Sequence, residues 1–182
     1  MSAAVRHAQR RDGSADCYDE GVSESSRLIG VHYAVPQLHE GSAWELSEAK
    51  MPESVLHEQA VELLKMLLAH WAATKGGVFV ARNLAVRWDP EHPKVGIDPD
   101  VCVLRPAPAD ALALTSLRTW EPSQNPPLLA IEVVSESNAA KDYTITPDKY
   151  AASGTGELWV FDPLLAGPPA HGGPHRLQIR CV

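Results

Sequence analysis

The sequence predicts a mixed α/β domain: one mixed central sheet flanked by helices, in the order helix, three strands, helix, strand. Three observations carry this. The near-continuous apolar run Leu128–Leu129–Ala130–Ile131–Glu132–Val133–Val134 has the composition of a strand covered on both faces. A segment of helical period follows it, and then a second strand, Leu158–Trp159–Val160–Phe161. Together these form a β-α-β unit, which closes as a right-handed crossover between parallel strands. The shorter alternating segments before it read as antiparallel strands, which makes the sheet mixed.

Residues 1–27 are polar, mixed in charge and rich in Gly and Ser, and read as a disordered tail. Residues 28–182 form a single domain, as roughly 100–200 residues per domain implies. Ile29, Val31, Tyr33 and Val35 alternate with smaller or polar residues, a period-2 strand ending at Pro36. Pro52 suits the first turn of a helix that Gly76–Gly77 stop. Within it Leu56, Ala60, Leu63, Leu64, Leu67, Leu68 and Trp71 form one apolar stripe. Val78 to Trp88 and Val101 to Leu104 alternate as strands. Residues 105–127 hold five prolines and read as a long loop, with one helical turn at Ala109–Leu114. In the helix after residue 135, Pro147 marks either a start or a kink. Leu177 to Val182 is a last strand, expected at a sheet edge and therefore a route to a homodimer.

Sixteen Lys and Arg against 23 Asp and Glu give a net charge of −7, which excludes a generic polycationic nucleic-acid coat. Cys17, Cys102 and Cys181 form no CxxC pair, so a zinc ribbon is excluded and a reducing cytoplasm is expected. The most apolar stretch, Leu63 to Ala73, carries Lys65 and His70 and is far short of the ~20 residues a membrane span needs. There is no Walker A, GxGxxG or GxSxG motif.

Glu132 is the most informative residue. A carboxylate within a doubly covered strand is costly unless it is paired, hydrogen-bonded or metal-bound. Asp100, in Ile97–Asp98–Pro99–Asp100–Val101, stands at the entry to the neighbouring strand. Two carboxylates from adjacent strands suit a hard divalent cation. The competing interpretations are an ion pair for Glu132 and a Pro99-centred turn for Asp100.

Gly96–Ile97–Asp98–Pro99–Asp100–Val101, Ile131–Glu132–Val133–Val134–Ser135, Asp148–Lys149–Tyr150–Ala151 and Glu157–Leu158–Trp159–Val160–Phe161–Asp162–Pro163 follow in that order. This set resembles the Uma-two family of restriction endonucleases, in the PD-(D/E)XK nuclease superfamily, over residues 44–163. The resemblance implies a restriction-endonuclease-like core, with Asp100 and Glu132 binding Mg²⁺ (or Mn²⁺). It implies an endonuclease that hydrolyses DNA phosphodiester bonds. Where the superfamily has a lysine two residues after the Glu, this chain has Val134. The resemblance then favours Lys149 over Lys141 as the catalytic amine, and makes His57 and Glu58 accessory residues. With a net charge of −7, DNA binding is expected to be weak and salt-sensitive, through a local basic surface including Lys94, Arg105 and Arg118. The alternative is a catalytically inactive module of the same fold that binds nucleic acid or a protein partner, and Val134 is the feature in its favour.

Overall fold

A computed structural model describes residues 29–33, 44–46, 54–136, 139–171 and 173–182. The tail, residues 1–27, and the helix start at Pro52 lie outside them. The first helix, α1 (Val55–Ala73), is capped by Ser54, whose hydroxyl oxygen accepts from the His57 amide at 3.2 Å. The central sheet has six strands. In space they run β1 (Ile29–Tyr33), β8 (Leu177–Cys181), β7 (Glu157–Phe161), β6 (Leu129–Val133), β4 (Val101–Leu104) and β2 (Phe79–Ala81). Strand β4 is antiparallel to both of its neighbours, β2 and β6, with Val80 opposite Val103 and Cys102 opposite Ala130. Strand β7 lies parallel to β6 across the helix α2 (Ala139–Ser153), with Ile131 beside Trp159. The expected order, helix then three strands then helix then strand, is met by α1, β2–β4–β6, α2 and β7.

The side-chain alternation of β4 and β6 sorts the core into two layers. Val101, Val103, Leu129, Ile131 and Val133 face α1, where Val61 and Ala72 meet them. Cys102, Leu104, Ala130, Leu158 and Val160 face the other way, toward Tyr143 and Tyr150 of α2. β6 is therefore covered on both faces, and all five of its residues are buried.

Five local expectations are corrected. The apolar stripe of α1 is only in part its inner face: Ala60, Leu64 and Leu68 pack on the core beside the buried His57, Val61 and Ala72, but Leu56, Leu63, Leu67 and Trp71 are exposed. The helix is apolar around much of its girth, so the stripe could not fix its rotation; the polar contacts of His57 accompany the rotation found. The loop read across residues 105–127 contains a strand, β5 (Ser116–Arg118), paired in parallel with β3 (Ala85–Arg87) in a separate two-stranded sheet. The chain leaves β2 for β3 at Asn83, whose φ of 49° is a left-handed conformation that Asn tolerates better than most residues. Residues 109–113 form turns rather than a helix.

The last strand is not an edge. β8 is antiparallel to β7 on one side and parallel to β1 on the other, so both its flanks are paired. Finally, α2 does not start at Pro147 but continues through it. A proline has no N–H to give the carbonyl four residues back, here that of Tyr143. An Arg180 guanidinium nitrogen from β8 stands 3.5 Å from that oxygen and donates in its place. Among the described residues no helix is long and apolar enough to cross a membrane.

Candidate active site

Three elements converge where β6 ends. Asp100 directly precedes β4, opposite the end of β6, and its carboxylate continues the sheet beyond the last backbone pair. Asp100 Oδ2 accepts from the Val133 amide at 2.7 Å. His57 reaches the same point from α1: its Nε2 is 3.2 Å from Asp100 Oδ2 and 3.0 Å from the Val133 carbonyl oxygen. Both neighbours are acceptors, so Nε2 must carry the proton and donate to them. His57 thus fixes Asp100 against β6 and leaves Oδ1 for another partner.

Glu132 points to the α2 side of the sheet. Its Oε1 accepts from the Tyr150 hydroxyl at 2.6 Å. No ion pair joins Glu132 to a Lys or Arg among the described residues, so the structural salt bridge weighed from the sequence is not found. Burial, followed by the charges of Asp100 and Asp142, pushes its pKa well above the usual carboxylate range. Tyr150 is likewise pushed well above its ordinary value, by burial and then by Glu132.

Asp142 is a third carboxylate that the sequence argument passed over. It is buried in the first turn of α2, and burial pushes it up to about 6 against the opposing charge of Lys141. The spacing alone gives its helical face, and only the packing shows that this face is buried. Asp142, Thr146 and Tyr150 are four residues apart, one face of a helix, and all three are buried. Lys141 stands at the lip, its Nζ 3.6 Å from Asp142 Oδ1. Burial works against its charge, but Glu132, Asp142 and Asp100 outweigh this and hold its pKa above the ordinary.

The structure brings Asp100, Glu132 and His57 together. It does not bring Glu58: that carboxylate takes a 2.6 Å ion pair from Arg82 on the exposed side of α1. Lys149 is half-buried, and its Nζ is 3.5 Å from the carbonyl oxygen of Trp44. Burial and the neighbouring Lys141 lower its pKa.

The donor set suits a hard divalent cation. Buried carboxylates stand on two adjacent strands and a helix, near enough for their charges to act on one another, and only the Lys141 ammonium, at 3.6 Å, faces the buried Asp142 Oδ1. No group of three or more His, Cys, Asp or Glu side chains among the described residues is already spaced as a metal cage. Mg²⁺ tolerates this, because it keeps several waters and takes one or two carboxylates.

No curated protein matches the chain. A crystal structure described as a putative nuclease belonging to DUF820 from Anabaena variabilis ATCC 29413 is similar at 15% identity, with a TM-score of 0.46. The match covers 63% of this chain and 60% of that one, so the chain spans about 60% of that relative's length. The Uma2 family pattern, whose description is "Putative restriction endonuclease", matches residues 35–167. Most of the chain is matched, and the matched span contains Asp100, Glu132 and the whole of α2: the chain belongs to the Uma2 family.

Proposed function

We propose that this protein is a Mg²⁺- or Mn²⁺-dependent endonuclease that hydrolyses DNA phosphodiester bonds in the cytoplasm, with Asp100 and Glu132 as the metal-holding carboxylates. One observation supports the reading: the buried carboxylates Asp100 and Glu132 lie across from each other on adjacent strands, their like charges acting on one another, and no ion pair among the described residues joins Glu132 to a cation. Such an arrangement is strained by like charge and is relieved by a divalent ion.

When bound, the metal lowers the pKa of a coordinated water and neutralises charge on the phosphate. The rest is the work of the chain. His57 and the Val133 amide hold Asp100 Oδ2, so that Oδ1 is aimed; Tyr150 holds Glu132 Oε1, so that Oε2 is aimed. In the reaction, water gives up a proton to solvent and its oxygen forms the new P–O bond. The bond from phosphorus to a bridging sugar oxygen breaks, and that oxygen takes up a proton. An amine from α2, Lys141 or Lys149, takes the place of the lysine absent at Val134.

The test is nicking of supercoiled plasmid by the full chain with Mg²⁺ or Mn²⁺, against EDTA and against Asp100→Ala. Metal-dependent nicking lost in the mutant supports the reading; equal nicking by the mutant overturns it. One observation favours a second reading, a non-catalytic module on this fold. Val134 is buried, with its amide bonded to the Phe161 carbonyl, so no amine can enter from that strand position. Under that reading the protein binds metal or DNA and nicks nothing.

A further inference from the structure

The amine of this site has two candidates on one helix, and their surroundings separate them. The position two residues after Glu132, where strand alternation would bring a side chain to the same face, is filled by the core residue Val134. The replacement must therefore come from α2, which starts just beyond the end of β6. Tyr150 pins the helix to the strand through its bond to Glu132, and Asp142 lies two turns earlier on the same face.

Lys141 precedes Asp142 and folds back over it, with its amine 3.6 Å from the buried Oδ1. Its side chain is 50% exposed while that of Asp142 is 7% exposed, so the ammonium caps the carboxylates from the solvent side. A phosphate approaching the site meets it first. Lys149, two turns on, turns to the neutral carbonyl of Trp44 instead. The charges acting on the two lysines agree with this placement. Glu132, Asp142 and Asp100 act on Lys141, whereas the charge acting on Lys149 is that of Lys141.

We propose that Lys141, not Lys149, is the catalytic ammonium of this site, donating to a non-bridging oxygen of the scissile phosphate as negative charge grows there. This rests on the nuclease reading above. Lys141 keeps its proton throughout. Its role is charge stabilisation, which a fixed cation in a partly dry site supplies without reorganising.

The experiment pairs two readouts on the full chain: plasmid nicking, and Mn²⁺ binding by calorimetry at pH 8. Lys141→Met should lower nicking by ~10²–10³, the range for a lost charge-stabilising donor. Lys141→Arg, which keeps the charge, should recover most of that loss. Lys141→Met should also bind Mn²⁺ more tightly, by about tenfold, because a cation facing the carboxylates is gone. Lys149→Met should show the smaller loss and no tightening. Nicking by Lys141→Met at the wild-type rate, unchanged Mn²⁺ affinity in that variant, or both effects appearing at Lys149 would each overturn the assignment. Lys141→Gln, neutral but polar, guards against a fold-specific effect of Met and must reproduce it. If wild type nicks and Asp100→Ala does not while Lys141→Met behaves as wild type, this inference alone fails. If wild type takes up no metal and nicks nothing, the nuclease reading fails and takes this assignment with it.

Discussion

Replacing Glu132 by Gln keeps its shape and its bond from Tyr150 but removes the charge that Asp100 and Asp142 oppose. Apo stability should be unchanged or higher, because no cation is stranded by the change. The thermal stabilisation that Mg²⁺ or Mn²⁺ gives wild type, about 2.7 kcal/mol at a hundredfold excess over Kd, should vanish. Melting curves of both proteins with and without metal check this; a mutant much less stable in EDTA would restore the buried ion pair. Asp142 gives a pH signature. Its native pKa of about 6 lies above the ordinary 3.8, so between those values the folded state binds more protons than the unfolded state. Its contribution therefore favours folding less as pH rises through that window. Asp142→Asn should remove this slope, on the order of 1–3 kcal/mol between pH 4 and 6, in urea titrations without metal. Asp100 and Glu132 were legible because each breaks a local rule, a carboxylate in a core strand and one beside its start. Asp142 breaks none on paper. An acid in the first turn of a helix is the ordinary arrangement, and only the packing of α2 on β6 buries it.

At the level of elements, the Pro147–Arg180 arrangement predicts an energetic coupling. Arg180→Met strands the Tyr143 carbonyl and should cost about 1–2 kcal/mol. With Pro147→Ala in the background, the helix regains its own N–H donor, so the cost of Arg180→Met should shrink by about 0.5–1 kcal/mol. A double-mutant cycle by chemical denaturation measures it, and strict additivity would mean that Arg180 does not serve that carbonyl. The β-α-β unit was legible because its apolar run is long and its two periods differ. β5 was not, since three residues, Ser116–Arg118, among flanking prolines carry too little periodicity to stand out. The rotation of α1 was only partly legible: beside its leucine stripe, Val55, Val61, Met66, Ala69 and Ala72 make other sides apolar too, and the inner face found is the one where His57 meets Asp100 and Val133.

For the molecule as a whole, the DNA binding proposed above for a chain of net charge −7 requires local cations, and Lys94, Arg105 and Arg118 are all exposed. Binding without divalent metal should weaken about tenfold between 50 and 200 mM salt for every two phosphates contacted. Fluorescence anisotropy with a labelled duplex checks this, and an affinity indifferent to salt would rule out backbone-led binding. The paired position of β8 has a consequence in time. The backbone of β1 finds its partner in a strand that begins 148 residues later (177 − 29 = 148), while β2, β4 and β6 assemble from near neighbours. On the ribosome, at ~5–20 residues per second, β1 therefore waits several seconds with its hydrogen bonds open. The β2–β4–β6 half of the sheet can be complete while the first strand is still looking for its place, and in that interval the nascent chain is open to capture by another strand.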